Sequence, residues 1–161
     1  MKKNREFPKR NYARGSNPAG TSTRSAQMRA IRSKGNRSTE RRLRGALVAA
    51  GIRGWTLHAE HLPGRPDFYF DSARLAVFVD GCFWHCCPTC GHLPQMNKPY
   101  WVPKLAKNVE RDNKSTRELR GRGIAVLRFF ECVLRHDMHG CISQIKKQIG
   151  LRAAERRERN D

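Results

Sequence analysis

The sequence predicts an α/β fold: a single three-layer domain, with a mixed central β-sheet flanked by helices. Three observations carry this. LAVFV (75–79) and IAVLRFF (124–130) are continuous apolar, largely β-type runs, as expected of strands buried on both faces. Two longer stretches, around 43–50 and 105–119, repeat apolar residues at helical spacing. The order helix, strands, helix, strand, helix then lets the helices cover both sides of one sheet. A chain of 161 residues suffices for one such core.

Residues 1–24 hold seven basic side chains against one acid and almost nothing to bury, so a disordered tail is expected there. The folded domain should span 25–150. Met28 and Ile31 in QMRAI suggest a short helical turn. A helix should follow from Ser38, a natural N-cap, to Ala50, with Gly51 at the position after its end. Leu43, Ala46, Leu47 and Ala50 make its inward stripe. Glu40 falls on the same face, where it either finds a partner or favours the positive helix N-terminus near the surface.

Residues 54–62 read as an edge strand. Asp67 to Phe70 and Leu75 to Val79 read as a hairpin across Asp71 and Ser72. A long helix is expected from Trp101 to Arg120, with Pro103 near its first turn. Its inner face is Leu105, Val109, Thr116 and Leu119, with Asp112 in the same series. The strand at 124–130 comes next, then a helix from Cys141 to Ile149 on a stripe of Ile142, Ile145 and Ile149. Residues 151–161 form a charged tail expected to fray.

Lysine and arginine number 33 against 14 acids, for a net charge of +19. A charge of this size points to a polyanionic partner, chiefly nucleic acid, with a merely solvated basic surface as the alternative. No apolar run approaches the ~18 residues a membrane helix needs. The basic start lacks the apolar core of a secretory signal. The expected place is the cytoplasm, on the nucleoid, with no membrane partner.

The chemistry concentrates in residues 63–90. Asp67 opens one strand and Asp80 closes the next, thirteen residues later. Hairpin geometry brings both acids toward one point, where converging carboxylates and backbone carbonyls make a hard-oxygen site for Mg²⁺. Such an ion polarises a phosphate and lowers the pKa of a bound water. The outline resembles the PD-(D/E)xK nucleases, except that Cys82 stands where their lysine is expected; His85 is close by as a substitute base. Cys82, Cys87 and Cys90 follow a C-x4-C-x2-C spacing, and Cys132 ends the later strand. Four thiolates close a tetrahedral structural Zn²⁺ site. Cys86 and His85 are competing ligands, whereas Cys141 suits a small core position. Phe83 and Trp84 on the same loop, and Trp101 beyond it, either pack inward or project to stack on bases. Lys104, Lys107, Asn108 and Arg111 suit phosphate contacts.

Together these stretches resemble the very-short-patch repair (Vsr) DNA mismatch endonucleases. The resemblance runs from about Ser25 to Arg135. It is carried by MRAI (28–31), the E-x-R-L element at Glu40, LPGRPDF (62–68), VFVDGCFWH (77–85), W-x-x-K-x-x-x-N-V-E-R-D (101–112) and the strand ending in Glu131-Cys132. It implies a restriction-endonuclease-like domain and a Mg²⁺-dependent nick 5′ of the mispaired thymine at T:G mismatches left by deaminated 5-methylcytosine. The implied chemistry is in-line attack by an activated water, leaving a 5′-phosphate. It implies Asp67 as primary metal ligand and the Val79 backbone carbonyl as a second. His85 is the implied base, and Glu40 either orders the water shell or holds His85. Phe83, Trp84 and Trp101 become the wedge at the mismatch, with Met28 in the other groove. Asp112 is supporting, or a structural pairing.

Two departures matter. Asp80 stands where some members carry histidine and is itself a candidate metal ligand. Cys87 stands where some use a histidine for zinc, and Cys90 lies one residue further along than usual. The implied partners are double-stranded DNA with a T:G mismatch, mismatch-repair proteins and a cytosine-5 methyltransferase, for a monomeric enzyme. The rival expectations are a restriction-like nuclease of the same fold with another target, and a non-catalytic zinc-stabilised DNA-binding protein.

Overall fold

The computed structural model describes residues 38–158. The basic segment 1–24, Met28 and the helical turn expected around it lie outside the described residues. A mixed four-stranded sheet forms the middle layer. Its strands are β1 (Trp55–Leu57), β2 (Phe68–Phe70), β3 (Leu75–Asp80) and β4 (Ala125–Phe130), in spatial order β1-β2-β3-β4. The first three run antiparallel to their neighbours, and β3 and β4 pair in parallel with Asp80 beside Phe130.

Strand alternation sorts β3 between two cores. Leu75, Val77 and Val79 join Phe68, Phe70 and Phe129 in one apolar cluster. That cluster is covered by helix α1 (residues 38–49) through Leu43 and Leu47, and by α4 (Met138–Arg157) through Ile142 and Ile145. Ala76 and Phe78 join Tyr69, Leu62 and Leu119 on the opposite face, under α2 (Lys98–Gly121). The three layers anticipated from the element order are therefore present, with both faces of β3 buried.

α1 ends as its glycine requires. Gly51 takes φ +73, Ile52 donates to the Leu47 carbonyl at 3.0 Å and Gly51 to that of Val48 at 3.1 Å, a Schellman closure. At 138–140, the Asp137 side chain accepts from the Gly140 N–H at 2.8 Å and opens α4.

The elements differ from expectation in several places. β1 stops at Leu57, because His58 turns into the left-handed region at φ +49 and the chain leaves the sheet. α2 begins at Lys98 after a left-handed Asn97, which puts Pro103 inside the helix rather than near its start. Ser115, not Thr116, completes the buried stripe of Leu105, Val109, Asp112 and Leu119. A short helix α3 (Glu131–His136) separates β4 from α4, and α4 continues to Arg157 through most of the stretch expected to fray. No described helix is long and apolar enough to cross a membrane.

Candidate active site and metal centres

The sequence-predicted residues gather at one end of the sheet, where β1, β3 and β4 finish and β2 begins. There the loop 81–92 and the start of α2 close over the strands. Two acidic groups form there, with different partners.

Asp67 precedes β2, and its Oδ2 accepts the Val79 N–H at 2.6 Å. This bond ties it to the end of β3. One ligand atom each from Glu40, His58 and Asp67 lies within 4.8 Å of the others. Burial pushes the Asp67 carboxyl up to about 6; the Val79 N–H opposes this, and the Glu40 charge adds to it. Glu40 meets His58, with Oε1 3.2 Å from Nε2. It does not hold His85, one of the two roles the resemblance allowed it.

Asp80 stands apart from that cluster. Arg128 on β4 grips it with both arms, Nε to Oδ2 at 2.8 Å and an Nη to Oδ1 at 2.7 Å. The same Nη reaches Asp112 of α2 at 3.0 Å. Asp112 in turn holds His85 Nδ1 at 2.6 Å, and Asp80 lies 3.8 Å from the same nitrogen. Arg128 lies over the Phe78 ring at 4.3 Å to the centroid, a cation–π contact in a dry site. Burial opposes its charge, but Asp80, with Asp112 and Asp67, more than offsets this and raises its pKa. Asp80 therefore lies in a charge-paired, buried setting rather than among the acids open to a cation. Arg128 was missed by sequence reasoning. The signal was one charge inside the apolar run IAVLRFF, which a strand buried on both faces tolerates only with a partner.

The four cysteines singled out by spacing come together, with one Sγ from each of Cys82, Cys87, Cys90 and Cys132 within 4.8 Å of the rest. Cys87 and Cys132 sulfurs are 3.5 Å apart; thiolates at ~2.3 Å from one tetrahedral zinc stand about 3.8 Å from each other. Cys132 donates its N–H to Cys82 Sγ at 3.3 Å. The donor set therefore fits zinc, which would tie the loop after β3 to the β4–α3 junction. Burial pushes the Cys82 and Cys90 thiols up, whereas the N–H groups of Cys90 and Thr89 bring Cys87 down to about 7 against its own burial. Gly91 is needed there: a Cβ would collide with the Cys87 backbone. Cys86 and His85 are not in the cluster, and Cys141, on α4, is buried in the core.

Phe83, Trp84 and Trp101 pack edge-to-face or tilted against one another, with centroids 4.9 to 5.9 Å apart. Tyr100, which sequence reasoning passed over, extends the group at 5.1 Å from Trp101. Lys104 covers it, with Nζ 4.7 Å from the Tyr100 centroid and 5.5 Å from that of Trp101. Asn108 donates to the Trp84 carbonyl at 3.3 Å and accepts from Arg111 at 2.9 Å. Lys107 is exposed one position earlier. The aromatics are only partly buried, so the loop presents a preformed apolar ledge bordered by cations.

Comparison with known proteins assigns the family. Residues 19–90 match the family described as "DNA mismatch endonuclease Vsr". The Type II nicking enzyme V.NaeI of Lentzea aerocolonigenes is 41% identical over 127 residues, 76% of each chain. The DNA mismatch endonuclease Vsr of Escherichia coli (strain K12) is 39% identical over 116 residues, 70% of this chain and 72% of the relative. The Type II nicking enzyme V.XorIIP of Xanthomonas oryzae pv. oryzae is 40% identical over 110 residues, 66% and 78% respectively. An acid cluster at the sheet end, a histidine–aspartate pair beside it and these relatives lead to one assignment: the chain belongs to the Vsr family of DNA endonucleases.

Proposed function

We propose that this protein nicks DNA 5′ of the mispaired thymine at T:G mismatches, in very short patch repair of deaminated 5-methylcytosine. The observation that carries the reading is Asp67: a half-buried carboxyl raised to about 6, beside a second acid, at the strand end where His85 and Asp112 also meet. Two acids with so little compensation are a natural receptor for a divalent cation, Mg²⁺ on the family resemblance. Asp67 and the Val79 carbonyl would hold it, with Glu40 ordering its waters. Bound there, it would supply charge neutralisation at the phosphate and a water of lowered pKa.

The chain's own residues supply the rest. Asp112 accepts the Nδ1 proton of His85, which leaves Nε2 to take a proton from the attacking water. Arg128 holds Asp80 and Asp112 in place and keeps the pair from repelling. Phe83, Trp84 and Trp101 offer faces for unstacked bases at the mismatch, while Lys107, Asn108 and Arg111 position the backbone. Cys82, Cys87, Cys90 and Cys132 would hold a zinc ion, which would stiffen the loop that carries His85 and the aromatics. Metal analysis of the purified protein should find about one zinc per chain; none would remove the four-cysteine site.

The Escherichia coli relative's name supports the mismatch substrate. A second reading keeps the nicking and changes the target, since V.NaeI and V.XorIIP are named Type II nicking enzymes. The test is incubation with Mg²⁺ and two duplexes of the same sequence, one with T:G and one fully paired. A nick confined to the thymine strand of the mismatched duplex is expected. Equal cutting of both would discard the repair role and favour the second reading.

A further inference from the structure

The pairing of β1 with β2 continues one step beyond the regular strands. Leu57 stands opposite Phe68, and His58 donates its N–H to the Asp67 carbonyl at 3.2 Å. His58 is therefore held beside Asp67 by a backbone hydrogen bond just where the chain leaves the sheet. The histidine sits there with φ +49, a left-handed conformation that costs energy outside glycine and is held only where surrounding structure requires it. Its Nε2 lies 3.2 Å from Glu40 Oε1, and the three groups converge within 4.8 Å. Two ligands at ~2.1 Å from a common ion, at angles of roughly 90–110°, lie about 3.0–3.4 Å apart. The His58–Glu40 separation falls in that window.

We propose that His58 is a nitrogen ligand of the divalent ion held by Asp67 and Glu40, and that this donor set selects first-row divalent ions over Mg²⁺. The proposal rests on the nuclease reading above and departs from it in two ways: Glu40 binds the ion directly rather than ordering its waters, and the site is not all oxygen. Mg²⁺ takes oxygen ligands in near-ideal octahedra and gives up water reluctantly. An imidazole nitrogen favours first-row transition ions, whose selectivity follows ligand type and geometry. Exposure of about half the His58 side chain leaves its ring free to swing onto an ion, while Glu40, at 15% exposure, stays in place.

The test uses the full-length, zinc-loaded protein with Mn²⁺ as probe. Bound Mn²⁺ is read from the loss of the free-ion electron paramagnetic resonance signal, with Mg²⁺ as competitor. Pulsed spectra of the bound ion report a coordinated imidazole nitrogen. The wild type should show that nitrogen coupling. His58→Gln should lose it and lower the Mn²⁺-to-Mg²⁺ affinity ratio by about tenfold or more, within the range seen when ligand shells are altered. Asp67→Asn should lose most Mn²⁺ binding, and zinc content should be equal in all three proteins. If His58→Gln keeps the coupling and the ratio while Asp67→Asn loses the ion, the inference falls and the nuclease reading stands. If Asp67→Asn binds Mn²⁺ as tightly as wild type, both fall.

Discussion

Two pairs of acids sit at the same end of this sheet and meet opposite fates. Asp80 and Asp112 share a buried arginine, with three contacts of 2.7 to 3.0 Å. Asp67 and Glu40 share a half-exposed histidine and one backbone N–H. The first pair carries its own counter-charge, and the chain spends it on orienting His85. The second is short of positive charge, and burial pushes Asp67 up to about 6 as a result. A buried carboxylate left under-compensated is costly unless something binds there. The difference separates a group whose charges are matched within the fold from the group proposed above to receive a cation.

The largest effect should come from breaking the compensated pair. Arg128→Met leaves two buried carboxylates without their partner and should destabilise the fold by about 3–5 kcal/mol, read by denaturant unfolding. A loss below about 1 kcal/mol would mean that the two groups differ less than their geometry implies. Next comes the His85 pairing. Asp112→Asn keeps the shape but offers an amide where the carboxylate accepted the Nδ1 proton. It should lower the single-turnover nicking rate by about 10²–10⁴-fold with duplex affinity nearly unchanged, as in other histidine–aspartate pairs.

A smaller, opposite effect is expected at the other pair. The folded-state pKa of Asp67, about 6, lies above its ordinary value of 3.8, so the folded chain binds that proton more tightly than the unfolded one. The associated stability is full below pH 3.8 and is lost as pH rises through about 6. With no divalent ion added, Asp67→Asn should therefore raise the melting temperature by a few degrees at pH 7 and leave it nearly unchanged near pH 4. A lower melting temperature at pH 7 would show that the site is already compensated.

The same contrast marks what the sequence could convey. Continuous apolar runs identified β3 and β4; β3 is buried along its whole length as expected, whereas β4 is only half-buried apart from Phe129. Spacing found the inner faces of α1 and α4, and the cysteine spacing found a cluster that the fold does assemble. Contacts between distant elements were not legible. Arg128 is a single letter in a strand, and only the parallel register of β3 and β4 puts it beside Asp80. His58 continued an apparent strand pattern, and its left-handed turn depends on pairing with β2. The Trp84–Trp101 packing requires α2 to start before Trp101, at a left-handed Asn97 with no side-chain cap to announce it. Whether Phe83 and Trp84 face in or out was open in the sequence; the structure has them half-buried against each other.

The most direct measurement is single-turnover nicking of a T:G duplex by Asp67→Asn, with duplex affinity measured on the same zinc-loaded preparation. A rate lower by about 10³-fold or more, with affinity within about threefold of wild type, is the predicted result, because the substitution removes the cation's anchor and leaves the aromatic and basic surface intact. A variant that still nicks within about tenfold of wild type would contradict the account, since the under-compensated acids would then not be where cleavage takes place.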